Sequence, residues 1–265
     1  DKDEKAGDHL ILLAKDLEGY HNLTRIVSYS WTEGFYYKPR IDKSLLRKYG
    51  KGLVCCSACL GGELPQAIMF GNPGDDEKVV KEFKEIFGDD YYLELQLHRS
   101  GEPNVDNEVY RNQIKVNERI VELAQKYGVK YIASNDVHFV NADDAPAHDR
   151  LICLNTGKDL DDPNRMRYTF QEYLKSPDEM AGLFPDNPEA LATTLEIADK
   201  IEVYSLDHAP LMPALPIPDG FVITPEALKE TFTKHIKDEG VTADIEAAGS
   251  PVNYVALKPE YREKL

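Results

Sequence analysis

Long apolar runs are missing from this chain of 265 residues. The longest, such as "HLILLA" at 9–14, have the length of a core strand and fall far short of the ~20 residues that cross a bilayer. No membrane association is expected. Positive charge is also scarce: 31 Lys and Arg stand against 47 Asp and Glu, for a formal charge of −16. Duplex DNA is gripped through cationic contacts to phosphate. The chain as a whole matches it poorly, and any work on nucleic acid needs other regions or subunits for most of the grip. Only four cysteines occur, three of them in "CCSAC" at 55–59 with no second CxxC, which excludes a zinc ribbon. Cys55, Cys56 and Cys153 are expected to be buried thiols in a reducing compartment. The opening "DKDEKAGD" lacks the basic-then-apolar order of a secretory leader, so the expected location is the cytoplasm. Neither an internal repeat nor a glycine-rich phosphate loop is present.

A hydrophobic content of 42% is enough for a real core. Short apolar strands are predicted at 9–15, 52–58, 91–98 and 130–136. In "YYLELQLH" the residues alternate, with Leu93, Leu95 and Leu97 on one face and Glu94, Gln96 and His98 on the other. Helices are predicted between them. One starts near Asp75 and ends at Gly88, with Val79, Phe83, Ile86 and Phe87 inward. Another is capped by Asp106 or Asn107 and ends at Gly128, with Val116, Ile120, Leu123 and Tyr127 inward. Strand and helix in alternation with short connections predict parallel α/β units, as an open sheet or a barrel.

After His148 the pattern turns helical. "HDRLICLNTG" reads as a helix ending at Gly157, and "KDLDDPNRMRY" as a polar loop. Ser176-Pro177-Asp178-Glu179 has capping-box spacing. Asn187-Pro188 opens another helix, with Leu191, Leu195 and Ala198 expected inward. "PLMPALPIP" at 210–218 reads as an extended connector, followed by one predicted helix from Pro225 to about Lys237.

"SNDVHF" at 134–139 places Asp136 and His138 two apart at a strand end, where both project from one face. Carboxylate, neutral imidazole and thiolate are the ligands of zinc and of manganese-like ions, usually three or four to a metal. Cys59 lies on a strand-to-helix loop and His9 opens the first strand. Three strands converging would make a metal site, but spacing alone equally allows a polar strand end. His148 is expected to cap a helix or face solvent, and His98 to be structural. Arg165 is expected to pair with Asp161 or Asp162, and "GDDE" at 74–77 to be a solvated helix start.

Three stretches carry more information: "GFYYKPRID" (34–42), "SACLGGELPQAI" (57–68) and "GKDLDDPNRMRY" (157–168). With "HLILLAKDLEGYHNL" and "SNDVHF", the chain resembles, over roughly 9–218, the alpha subunit family of bacterial DNA polymerase III. The likeness falls on its polymerase-and-histidinol-phosphatase (PHP) domain and the run into the polymerase core. The resemblance implies a distorted (β/α)7 barrel with a metal cleft at one end of the strands, incomplete here. It implies a partial PHP domain over 1–158, a helical run over 159–209, and the proline-rich connector with a tail over 210–265.

Residue by residue, His9, Cys59, Asp136 and His138 match four of the family's metal-site positions. A His-x-His, an Asp-His pair and a glutamate of that site would lie upstream of residue 1, so a fragment is expected. Zinc or manganese is the implied ion, with an incomplete ligand set. The polymerase's magnesium would be held by palm carboxylates that have no counterpart here. The implied partners are the proofreading exonuclease subunit and the rest of the polymerase, with DNA held mainly by other domains. The implied function is that of a scaffold within a DNA-directed DNA polymerase, the fragment alone being inactive. The alternatives are a stand-alone metal-dependent phosphoesterase and a non-catalytic interaction module. A barrel short of its first strands exposes a sheet edge, which predicts a marginally stable, oligomeric or rearranged chain.

Overall fold

The computed structural model describes residues 7–100, 106–210, 222–223 and 252–253. They fall in two compact units, one up to Leu206 and one from Asp207. The first holds a four-stranded sheet in the order β1 (Ile11–Ala14), β2 (Leu53–Cys56), β3 (Tyr91–Leu95), β4 (Lys130–Ala133). Of the second, only the two-residue strands β5 (Val222–Ile223) and β6 (Val252–Asn253), paired antiparallel, are described. The helix predicted from Pro225 and the connector from residue 211 onward lie outside the described residues.

Strands β2, β3 and β4 pair in parallel, as alternating strand and helix predict. Strand β1 does not: it runs antiparallel to β2, with Ile11 opposite Cys56 and Ala14 opposite Leu53. Between them lie α1 (Leu17–Thr32) and α2 (Lys43–Tyr49), and the Lys15 N–H, just after β1, donates to the carbonyl of Gly52, just before β2, so the end of one strand meets the start of the other. Between β2 and β3 lie α3 (Glu63–Phe70) and α4 (Asp75–Phe87), and α5 (Arg111–Tyr127) links β3 to β4. Helix α5 is preceded without a break by a wide π turn, Asp106–Tyr110. The whole is mixed α/β and consistent with an incomplete α/β barrel.

Both faces of the sheet are buried at β2 and β3, whereas Ile11 and Leu13 of the edge strand β1 are exposed. One face packs Leu53, Cys55, Tyr91, Leu93 and Leu95 against Val79, Phe83 and Phe87 of α4 and Val116, Ile120 and Leu123 of α5. The other joins Val54, Cys56, Tyr92 and Ile132 to Ile197. Ile197 lies on the last of three helices, α6 (Ala145–Thr156), α7 (Pro177–Leu183) and α8 (Pro188–Asp199). Helix α8 packs inward through Ala190 and Ile197, with Leu191 partly buried against the core as expected, while the rest of the expected line turns outward. Leu195 is 68% exposed as a result, and Ala198 is exposed too. The predicted glycine stops and the capping box hold, whereas α5 begins at Arg111 with no side-chain cap and α6 begins at Ala145, three residues before His148. Gly88, Gly128 and Gly157 all take positive φ after their helices, and the Ser176–Glu179 capping box forms. The "GDDE" start is more than solvated surface: Asp76 receives Arg119 Nε at 2.7 Å, and Glu77 takes Lys126 and the Tyr127 hydroxyl. Those bonds hold Glu77 down to a pKa of about 2.

Helix α1 is fixed to the sheet by two glycines. Asp16 caps it by accepting the Gly19 N–H at 2.7 Å, and a Cβ on Gly19 would lie 1.9 Å from the Gly52 carbonyl oxygen. Gly52 has φ +76 and its oxygen also accepts the Lys15 N–H at 2.8 Å. Gly19→Ala is therefore expected to lower unfolding stability by at least ~2 kcal/mol, read as the shift in a urea midpoint. An unchanged midpoint would mean that α1 is not held this way.

Candidate functional site

In parallel sheets the loops at the C-terminal strand ends carry the chemistry. Cys59 follows β2, His98 follows β3, and Asp136 and His138 follow β4. His9 precedes β1. Because β1 is reversed, its start lies beside the end of β2: the His9 N–H donates to the Gly61 carbonyl at 2.8 Å, and His9 bridges to Gly62. The His9 ring packs over Gly61, where a Cβ would lie 3.1 Å from Nδ1. The structure thus brings His9 Nδ1 to 3.3 Å from Cys59 Sγ, and His138 Nε2 to 3.6 Å from Asp136 Oδ1. The charge of the Asp136 carboxylate is also felt at the Cys59 thiol, behind burial and the Gly61 N–H. Burial raises that thiol's pKa, the Gly61 N–H opposes the rise, and Asp136 and Glu94 add to it.

One buried carboxylate links the loops. Glu94 Oε1 accepts the Ala58 N–H at 2.8 Å, and Oε2 accepts the Ser134 hydroxyl at 2.5 Å. Ala58 and Asp136 both have left-handed backbone, φ +63 and +41, which costs of order 1–3 kcal/mol for a residue with a Cβ. Burial raises the pKa of Glu94, against the pull of its Ser134 and Ala58 donors.

Deeper still lies His98. Its backbone N–H donates to Gln113 Oε1 at 2.7 Å, which turns the amide nitrogen of Gln113 to His98 Nδ1 at 3.0 Å. Nδ1 must accept, so Nε2 carries the proton and donates it to the Asn135 carbonyl at 3.1 Å. The ring is neutral, and burial depresses its pKa although Glu172 pulls the other way. Gln96 Oε1, Asn135 Oδ1 and Glu172 Oε2 are buried without a partner.

Sequence reasoning missed three contributors. His148 neither caps a helix nor stands apart: its ring lies 5.5 Å from that of His138 and 5.1 Å from that of Tyr168, which is 4.6 Å from His138. Tyr168 and Glu172 close the cleft from the loop after α6. Arg165 pairs with Asp149 of α6 through both nitrogens, at 2.5 and 2.8 Å, and not with Asp161 or Asp162. Nothing local in "NRMRY" announces this pairing, which joins the loop to a side chain sixteen residues earlier.

A closed zinc site takes four ligands, with thiolate where cysteine serves. Among the described residues no group of three or more His, Cys, Asp and Glu is set to hold a metal ion. His9 with Cys59 and Asp136 with His138 stand as two two-donor pairs, and the thiol is biased toward its protonated form. As they stand, they do not make a complete metal site.

Residues 1–98 match the family model of the PHP domain. Over most of its length the chain is similar to subunit alpha of DNA polymerase III. It is 42% identical over 235 residues to that of Borreliella burgdorferi, covering 88% of this chain and 20% of the relative. With that of Treponema pallidum it shares 37% over 88% of this chain and 19% of the relative. With that of Thermus aquaticus it shares 40% over 80% and 17%. The chain spans about a fifth of the length of these relatives.

Two measurements check this geometry. Below its ordinary pKa of 6.5 the unfolded chain takes up a proton at His98 that the folded chain refuses. Stability is therefore full above pH 6.5 and is lost as pH falls below it, by at most ~1.4 kcal/mol per pH unit. His98→Gln is expected to flatten that slope in urea titrations at pH 5 to 6.5; an unaltered slope would place the proton elsewhere. Asp136→Asn is expected to speed iodoacetamide alkylation of Cys59 at neutral pH by roughly two- to tenfold. An unchanged rate, read by peptide mass spectrometry, would separate the two loops.

Proposed function

We propose that this chain is a segment of the alpha subunit of a replicative DNA polymerase, where it serves as a scaffold and the polymerisation chemistry is done by other parts of the subunit. The observation that carries the reading is the continuous 42% identity over 88% of this chain with one fifth of such a subunit. In that role the sheet and its helices support the palm, whose carboxylates would hold the two magnesium ions of nucleotidyl transfer. The proofreading exonuclease would dock on the PHP region, and other domains would supply most of the grip on DNA. No helix among the described residues is long and apolar enough to cross a membrane, which agrees with work in the cytoplasm.

A second reading, a metal-dependent phosphoesterase, is supported by the pairs His9 with Cys59 and Asp136 with His138 at the strand ends. Imidazole, thiolate and carboxylate suit zinc or manganese, and these four side chains would be its ligands. The pairwise arrangement weighs against it, and a non-catalytic interaction module fits the geometry better than a free-standing enzyme.

A chimera in which this chain replaces the matching segment of the B. burgdorferi alpha subunit is expected to retain primer extension, while the chain alone extends nothing. A chimera that folds but cannot extend would refute the scaffold role. The chain alone is expected to carry much less than one zinc or manganese per molecule. Stoichiometric metal that disappears in both Asp136→Ala and His138→Ala, with hydrolysis of a model phosphodiester, would move the assignment to the second reading.

A further inference from the structure

Three side-chain oxygens near the ends of β3 and β4 are buried and accept no hydrogen bond: Gln96 Oε1, Asn135 Oδ1 and Glu172 Oε2. Their residues are 6%, 6% and 3% exposed. Neighbouring bonds fix which atom is left over in each. Asn135 Nδ2 donates to the Gln171 and Tyr173 carbonyls, both at 2.8 Å, so the oxygen is the free end of that amide. Gln96 Nε2 donates to the Ser134 hydroxyl at 3.0 Å, and that hydroxyl gives its own proton to Glu94. Turning the Gln96 amide round would set oxygen against oxygen. Glu172 Oε1 accepts the Thr169 N–H at 3.1 Å and the Thr169 hydroxyl at 2.6 Å, while Oε2 accepts nothing.

One network ties the three residues together. The two carbonyls that Asn135 grips flank Glu172 in the chain. His98 stands between, with Nε2 donating to the Asn135 carbonyl and Nδ1 3.7 Å from Glu172 Oε1. Gln96 lies two residues before His98 and is bonded to Ser134, the neighbour of Asn135.

The charges gathered here are of one sign. His98 feels the carboxylates of Glu172 and Asp136, and Glu94 feels that of Asp136. Lys175 is the ammonium nearby, and it is engaged: it donates to the Gln171 carbonyl and lies 3.9 Å from the centre of the Tyr173 ring. A buried carboxylate without a counter-charge is costly. A single water would offer two protons to three oxygens and bring no charge. Two amide oxygens and one carboxylate oxygen are the donors that a hard cation takes, whereas zinc is held by nitrogen and sulfur as well.

We infer that Gln96, Asn135 and Glu172 form a buried site for a hard, oxygen-liganded cation, built from other side chains than the His9–Cys59 and Asp136–His138 pairs. The ion joins the end of β3, the turn after β4 and the loop after α6. That loop carries Tyr168 beside His138, so the ion fastens it over the strand ends. The inference goes beyond the polymerase reading and does not rest on it.

The whole chain, stripped with a chelator and exchanged into choline chloride, is melted with Na⁺, K⁺, Mg²⁺ or Ca²⁺ substituted at constant ionic strength. At least one of the four is expected to raise the melting temperature saturably, by about 5 to 10 °C at a hundredfold excess over its dissociation constant. Glu172→Gln keeps an acceptor for Thr169 and adds an amide donor for the unpartnered oxygens. It is expected to melt no lower than the parent in choline and to respond to none of the four cations. Asp178→Asn removes the same charge from the exposed start of α7 and is expected to keep the full response. Hydrogen exchange on the parent locates the ion whether or not the variant folds: the effective cation is expected to slow the amides of 168–175 about tenfold. Three results would overturn the inference. They are equal melting in all five media, with water or a proton on Glu172 then satisfying the oxygens, a response retained by a folded Glu172→Gln, and slowing centred on other segments.

Discussion

The pairing of β1 against β2 in opposite directions is the constraint on which the rest depends. It is secured by the contact of Gly19 with Gly52 and by the Lys15 N–H on the Gly52 carbonyl. Its effect is chemical as well as topological. A parallel β1 would have sent His9 to the opposite end of the sheet from Cys59. Reversed, the strand delivers its first residue to the end where its neighbours deliver their last.

Around that end the sheet has an unusual interior. Strand β3 turns Glu94, Gln96 and His98 inward with the same regularity that buries Leu93 and Leu95 on the other side. Buried polar groups are tolerated when they are satisfied. Glu94 answers to Ala58 and Ser134, and His98 to Gln113 and Asn135. The strained backbone at Ala58 and Asp136 is held by neighbours that carry bonds of their own. Such a region specifies one geometry closely, and suits a part that must present fixed loops to something else.

Much of this was legible in the residues. The glycine stops, the capping box and the inward faces of α4 and α5 follow from local periodicity and backbone chemistry, which act over a few residues. The four strands were placed correctly for the same reason. What escaped depends on contacts between distant segments. The direction of β1 is fixed by its ladder to β2, about forty residues on, which nothing in the strand's own residues announces. The outward turn of Leu195 and Ala198 on α8 is decided by the surface of β4, not by the helix. The polar face of β3 looks the same in sequence whether it meets water or a covering loop. His148 and Tyr168 reach His138 only because the loop after α6 folds back, tied by Arg165 to Asp149.

Helix α8 gives the molecule a boundary that no composition shift marks. The Tyr92 hydroxyl donates to Glu196, Lys200 reaches Asp90, and the Glu202 N–H closes on the Lys15 carbonyl at 2.8 Å, beside the end of the first strand. Residues nearly 190 positions apart thus lock the lid of the sheet. A polypeptide ended before Pro188 would take Ile197 away from Val54, Cys56 and Tyr92, so the shortest segment able to fold as this one does includes its late helices.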